Sequence, residues 1–492
     1  MKKVCTAMTA LAATCVMCSC VSEKQDAARY PLAFNPNSYE ERTLVSGDVT
    51  LAYRAYENIV YVQNPVETEY QMMNIYVPSA YFSGDTLCGY TAQSAPIFFP
   101  NEVGGYMPGT PGTVDGRMAG DTQQTLSTIA RALLNGYVVV SPGARGRTTA
   151  TGRAPACIVD LKAAVRYVRY NDKVLPGNAE KIISNGTSAG GALSALLAAS
   201  GNSSDYEPYL NALGAAPARD DIYAASAYCP ITNLEHADAA YEWQFNDVHT
   251  YKKIDSSMLD YKVQRTYVTG TLTEDEERVS ADLKTLFPLY VNSLNIRAND
   301  GTSLTLDAAG NGTFKDSIKS AVIASAQHAL DRGTDMSSYD FLTINKNTVT
   351  GIDFDAYISY LGRQKLPPAF DALDASSGEN NVFGNETAAS RHFTEYGAVH
   401  STKPGSETAE PHIVKMMNAM NYIGEQHATT AKYWRIRHGT KDSDTSLAIP
   451  FMLATLLQNN GYAVDFAFPW DKTHSGDYDI DELFAWIDSI CR

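Results

Sequence analysis

Residues 181–199 read KIISNGTSAGGALSALLAA, and the fold turns on how this stretch is parsed. Lys181 to Ser184 has the character of a short buried strand, and Gly191 to Ala199 is a run of small residues and leucines suited to a helix. Between them, Gly186-Thr187-Ser188-Ala189-Gly190 fits Gly-x-Ser-x-Gly, a tight strand-to-helix turn that exposes its serine because the flanking glycines avoid a steric clash. With Gly and Ser each at about 7% of residues, a chain this long carries the pattern by chance in roughly one case in six. The strand before it and the helix after it therefore carry the weight.

Working outward, apolar runs alternate with helical periodicities from about Asn58 onward, the signature of a parallel sheet with crossover helices. Ala95 to Pro100 (APIFFP) and Tyr137 to Ser141 (YVVVS) are unbroken, as strands buried on both faces tend to be. Ile158, Leu161, Val165 and Val168 form one helical stripe, which leaves Lys162, Arg166 and Arg169 for the solvent side. Near the C-terminus, Tyr433 to Arg437 and Ala463 to Phe468 read as strands flanking a helix at Phe451 to Leu457, and Ile480, Leu483, Phe484 and Ile487 mark a closing amphipathic helix. The stretch from about Pro230 to Asn418 reads as an insertion. Ile318, Val322 and Ala326 make a helical stripe there, and Asn299-Asp300-Gly301 suggests a hairpin turn.

The chain has 492 residues, 44% of them apolar, enough for a sizeable core. Its net charge of −16 and the lack of a Lys/Arg tract argue against a nucleic-acid partner, whose phosphates would need neutralising. Four of the eight cysteines (Cys5, Cys15, Cys18, Cys20) fall in the first twenty residues. That segment opens with Lys2 and Lys3, continues through a short apolar stretch, and ends Cys18-Ser19-Cys20, which resembles a bacterial lipoprotein signal. Residues 1–19 are expected to be removed and Cys20 lipidated. Met17 departs from the usual leucine, and an ordinary secretory signal is the alternative. Both imply export, and the first implies a membrane-anchored lipoprotein of the cell envelope.

A serine nucleophile needs a base, and the base needs an acid that fixes its tautomer. In the α/β-hydrolase chain order of Ser, Asp, His, both follow Ser188 at strand ends. His474, in the polar turn PWDKTHSG, is the candidate for base, with His438, at the end of the preceding strand, as the competitor although it comes before the acid; Asp442 and Asp444 of HGTKDSD could each supply that acid. An oxyanion site needs the backbone N–H after the nucleophile, from Ala189, and a second from Asn101-Glu102-Val103-Gly104-Gly105-Tyr106, where Gly104 and Gly105 permit close approach. No His-Glu-x-x-His helix occurs, and neither a metal nor an organic cofactor is expected.

Long strings between Asn58 and Cys491, among them NEVGGYMPG, NGTSAGG, SAYCPITNLEHADAAYEWQFN, WRIRHGTKDSDTS and PWDKTHSGDYD, resemble the bacterial tannases, α/β-hydrolases that cleave galloyl esters. The resemblance implies an α/β-hydrolase core with a mostly parallel sheet, residues 20–229 and 419–492, and a large inserted lid, residues 230–418. It implies Ser188 as nucleophile, Asp442 as acid and His474 as base. It further implies that Lys365, Glu379 and Asp444 meet the substrate, a small galloyl ester with three adjacent phenolic hydroxyls, each of which needs a partner when buried. A feruloyl or general carboxylesterase with the same triad is the alternative. Fungal tannases carry cysteines beside the serine and histidine where this chain has Thr187 and Thr473, which sets it with the bacterial pattern. No protein partner is implied.

Overall fold

The computed structural model describes residues 30–115, 126–259 and 262–492; the expected leader and Cys20 lie outside them. The first seven strands are β1 (Glu40–Ser46), β2 (Val49–Val60), β3 (Met72–Pro78), β4 (Pro96–Pro100), β5 (Val138–Pro142), β6 (Asn178–Thr187) and β7 (Ala224–Tyr228). Two hairpins follow in the insertion, β8 (Thr250–Leu259) with β9 (Lys262–Thr271) and β10 (Leu342–Asn345) with β11 (Thr348–Ile352), before β12 (Tyr433–Arg437) and β13 (Ala463–Ala467). The main sheet has nine strands in the order β1-β2-β3-β5-β4-β6-β7-β12-β13. The pairs from β1 to β3 and the β3–β5 pair are antiparallel, and every pair from β5 to β13 is parallel.

The parallel strands are the ones legible as continuous runs. Every residue of β4, β5 and β7 is buried, because crossover helices cover both faces of this part of the sheet. β1 and β2, which the sequence reading did not assign, alternate between buried and exposed positions at an edge where one face meets water.

The Ala156–Tyr170 helix corrects one expectation. Ile158, Leu161, Val165 and Val168 are buried as the stripe requires, yet Lys162 and Arg166 are buried too. The Lys162 ammonium lies 2.9 Å from Asp220 Oδ1, and Arg166 Nε donates to Asp220 Oδ2 at 2.8 Å. Arg169 is also packed away, against the Asp221 carbonyl. Partners from a distant loop, not solvent, receive these charges.

Within the insertion, the Thr313–Asp331 helix buries Phe314, Ile318, Val322 and Ala326 along one face, as read. The turn at Asn299-Asp300-Gly301 is formed, with Gly301 in the left-handed region, but its hairpin is reduced to a single bridge between Arg297 and Ser303. Both hairpins that do form there were not recognised in the sequence.

Candidate active site

β6 runs directly into the Ala189–Ala199 helix, and Ser188 sits at the junction with φ 59° and ψ −121°. That left-handed conformation is strained for a residue with a Cβ, and here it turns the chain sharply enough to lift the side chain out of the core. Glycine is required on both sides. A Cβ on Gly186 would come within 2.3 Å of the Gly190 carbonyl oxygen, and one on Gly190 within 2.7 Å of the Val103 carbonyl oxygen. Ser188 N–H is tied to the Tyr228 carbonyl at 2.9 Å.

Asp442 and His474 arrive on the loops after β12 and β13. Three hydrogen bonds lash these loops together: Thr440 N–H to the Pro469 carbonyl, Lys441 N–H to the Lys472 carbonyl, and Asp471 N–H to Thr440 Oγ1. The result is a continuous line. Ser188 Oγ is 2.8 Å from His474 Nε2, and His474 Nδ1 is 2.8 Å from Asp442 Oδ2. Asp442 is fully buried, and its Oδ1 accepts the Asp444 N–H at 2.9 Å. Burial alone would raise its pKa, but the charge of His474 and its hydrogen bond outweigh burial and hold it down at about 2. For His474, burial opposes the charged ring, and Asp442 followed by Asp444 outweigh it, so its pKa stands well above the ordinary imidazole value.

Of the two candidate histidines, only His474, which follows both aspartates in the chain, reaches Ser188. His438 is completely buried with Nδ1 3.7 Å from Asp442 Oδ2, and neither ring nitrogen has a hydrogen-bond partner among the described residues. Burial depresses its pKa, so it stays neutral.

Ala189 is the first residue of its helix, where backbone N–H groups point out of the helix end. Gly104 and Gly105 lie exposed on the loop after β4, with Gly105 at φ +54°. That loop is held by Arg147, whose Nε donates to the Gly105 carbonyl at 2.7 Å.

Lys365 Nζ lies 3.3 Å from Asp444 Oδ2, with the ammonium 4.0 Å above the Phe370 ring. Burial works against the Lys365 charge, and Asp444 and Glu379 overcome it, raising its pKa. Glu379, on the short Gly378–Val382 helix, has its carboxyl pushed up by burial, with Lys365 pulling the other way. The insertion and the core thus each contribute to one charged cluster beside the Ser188–His474–Asp442 line.

Sequence reading gave Cys229 no place at the site. It follows β7, has φ 36°, and is buried; its Sγ and the ligand-type atoms of Asp442 and His474 lie within 4.8 Å of one another. Its position at the C-terminal end of a central strand is the signal that could have found it. Cys88, Cys157, Cys229 and Cys491 are all free thiols.

A family model described as BD-FAE matches residues 112–269. No curated protein matches the chain. Among solved structures, the tannase of Fusobacterium nucleatum is 50% identical with a TM-score of 0.89, the match covering 94% of this chain and 100% of that one. The tannase of Lactobacillus plantarum is 47% identical with a TM-score of 0.90, covering 94% and 100%. A tannin acyl hydrolase in complex with ethyl gallate is also 47% identical, with a TM-score of 0.87 and coverage of 94% and 99%.

Proposed function

Since the chain belongs to the bacterial tannases, we propose that Ser188, His474 and Asp442 are its catalytic triad and that Lys365, Glu379 and Asp444 bind the galloyl ring. The protein is a carboxylic ester hydrolase that cleaves galloyl esters and releases gallic acid. His474 Nε2 takes the Ser188 proton as Oγ attacks the ester carbonyl, and it returns that proton to the departing alcohol. A galloyl-enzyme remains; water, deprotonated by the same nitrogen, attacks its carbonyl, the acyl–Oγ bond breaks, and His474 returns the proton to Ser188 as gallic acid leaves. Asp442 holds His474 Nδ1 protonated throughout. The N–H of Ala189, with that of Gly104 or Gly105, stabilises the oxyanion.

The observation that carries the assignment of roles is the proximity of the 2.8 Å Ser188–His474 contact to the Lys365–Asp444 ion pair, which is 23% and 31% exposed and so open to a ligand. An ammonium and two carboxylates can accept from and donate to adjacent phenolic hydroxyls, and a site built to pair such hydroxyls rejects analogues lacking them by about 10⁴ to 10⁵. Turnover of methyl gallate by Ser188→Ala tests the nucleophile: near-normal activity refutes it. Equal cleavage of methyl ferulate and methyl gallate by the unaltered enzyme would refute the ring site.

The proposed lid spans residues 230–418 on a core of residues 20–229 and 419–492. For the N-terminus the reading is cleavage after Ser19, lipid on Cys20, and attachment of the exported enzyme to a membrane of the cell envelope. Metabolic labelling with a fatty acid should mark the wild type and not Cys20→Ala; equal labelling of both overturns it.

A further inference from the structure

The Leu234–Phe245 helix turns Asp238, Tyr241, Glu242 and Phe245 to one side, a spacing of three, four and seven residues, and all four are buried. Asp238, Tyr241 and Glu242 all grip the Arg363–Asp371 segment that carries Lys365. Glu242 Oε1 accepts from Arg363 Nη1 at 2.9 Å, and Asp238 accepts the N–H groups of Phe370 at 2.6 Å and Asp371 at 3.0 Å. Between these anchors, Tyr241 Oη accepts the N–H groups of Gln364 at 3.0 Å and Lys365 at 3.1 Å.

The Tyr241 hydroxyl then donates its own proton to the Ser443 carbonyl at 2.9 Å. Ser443 is the residue between Asp442 and Asp444. One fully buried oxygen therefore joins the backbone of Lys365 to the backbone of the loop holding Asp442 and Asp444, and the side chains of Lys365 and Asp444 meet at 3.3 Å. Phenylalanine would fill the same space. What it would remove is the common partner of two N–H groups and one carbonyl, leaving the two segments tied indirectly, through Asp238 and Glu242 on one side and Gln244, which accepts from Ser446 and Leu447, on the other.

We propose that Tyr241 is a positioning residue that sets the spacing between Lys365 and Asp444 and so sets the enzyme's selectivity for hydroxylated aromatic acyl groups. The proposal rests on the ring-binding role given above to Lys365 and Asp444. Recognition by several hydrogen bonds at once tolerates little displacement, and loss of this link acts on ring binding before it acts on ester chemistry.

The test is the ratio of kcat/KM for methyl gallate to kcat/KM for p-nitrophenyl acetate, which has no ring hydroxyl on its acyl side, in wild type and Tyr241→Phe. About a tenfold fall in the ratio is expected, carried mainly by KM for methyl gallate. A fall of less than threefold, including a parallel loss on both esters, overturns the proposal. If Tyr241→Phe does not fold, 3,5-difluorotyrosine at position 241 replaces it; this keeps ring and hydroxyl but weakens the oxygen as an acceptor, and an unchanged ratio overturns the proposal equally. Failure of the wild type to cleave methyl gallate would instead refute the ring-site reading itself.

Discussion

Oδ2 of Asp444 stands 3.7 Å from Nε2 of His474, the same nitrogen that lies 2.8 Å from Ser188 Oγ. One carboxylate therefore faces both the proposed base and the proposed ring-binding ammonium. Asp444 and Asp442 both favour the imidazolium form, and they raise the His474 pKa against the effect of burial.

This predicts a pH signature for Asp444→Asn. His474 must be neutral to accept the serine proton, so kcat/KM falls as pH drops through its pKa. Removing the Asp444 charge lowers that pKa, and the acid limb moves to lower pH. The shift should be about one unit, the low end of what an opposite charge at this range produces, because Asp444 and His474 are partly exposed. p-Nitrophenyl acetate is the substrate of choice, since it makes no ring-hydroxyl contact. A limb that stays in place, or moves upward, sinks the idea.

The two histidines near Asp442 should separate cleanly. His474→Ala removes the group touching Ser188 and should lower kcat by about 10³-fold or more. His438 is buried and neutral, with no hydrogen-bond partner among the described residues, so replacing it with an apolar side chain buries no lone polar group and forfeits no hydrogen bond. His438→Leu should therefore keep kcat within about tenfold of wild type and lose less than about 1 kcal/mol of stability. A larger loss of kcat in His438→Leu than in His474→Ala would reverse the assignment.

The contrast shows where sequence reasoning stops. Ser188 was legible because its signal is local: glycines two residues to either side, a buried run before and a small-residue helix after. His474 and His438 both follow apolar strands, and residue order favoured His474, which follows Asp442 and Asp444, without placing it at Ser188; hydrogen bonds from Thr440, Lys441 and Asp471 aim the two loops at each other. Tyr241 was illegible for the same reason, since Ser443 is 202 residues away. The β1–β2 hairpin escaped because an edge with one wet face lacks the continuous apolar run that marked β4 and β5.

Lys162 is the sharpest case. Helical periodicity put it toward solvent, but Asp220, 58 residues on, draws it in: Lys162 is 0% and Asp220 1% exposed. Lys162 Nζ also donates to the carbonyl of Ser200, which caps the helix that begins after Ser188, so the cluster fixes the far end of that helix. Asp220→Ala would leave Lys162 and Arg166 buried without their shared anion and should cost about 3–5 kcal/mol at neutral pH. Lysine can escape part of that cost by losing its proton. Burial already lowers its pKa with Asp220 present, and without Asp220 the folded-state pKa falls further below the unfolded value. The unfolded state then binds more protons than the folded one, so the variant's stability rises with pH in the window below about 10. Urea denaturation of wild type and Asp220→Ala at pH 7 and pH 9 should show the gap narrowing at the higher pH. A gap under about 1 kcal/mol at pH 7, or one that widens at pH 9, would mean that Lys162 is not held in the fold as a charge paired with Asp220.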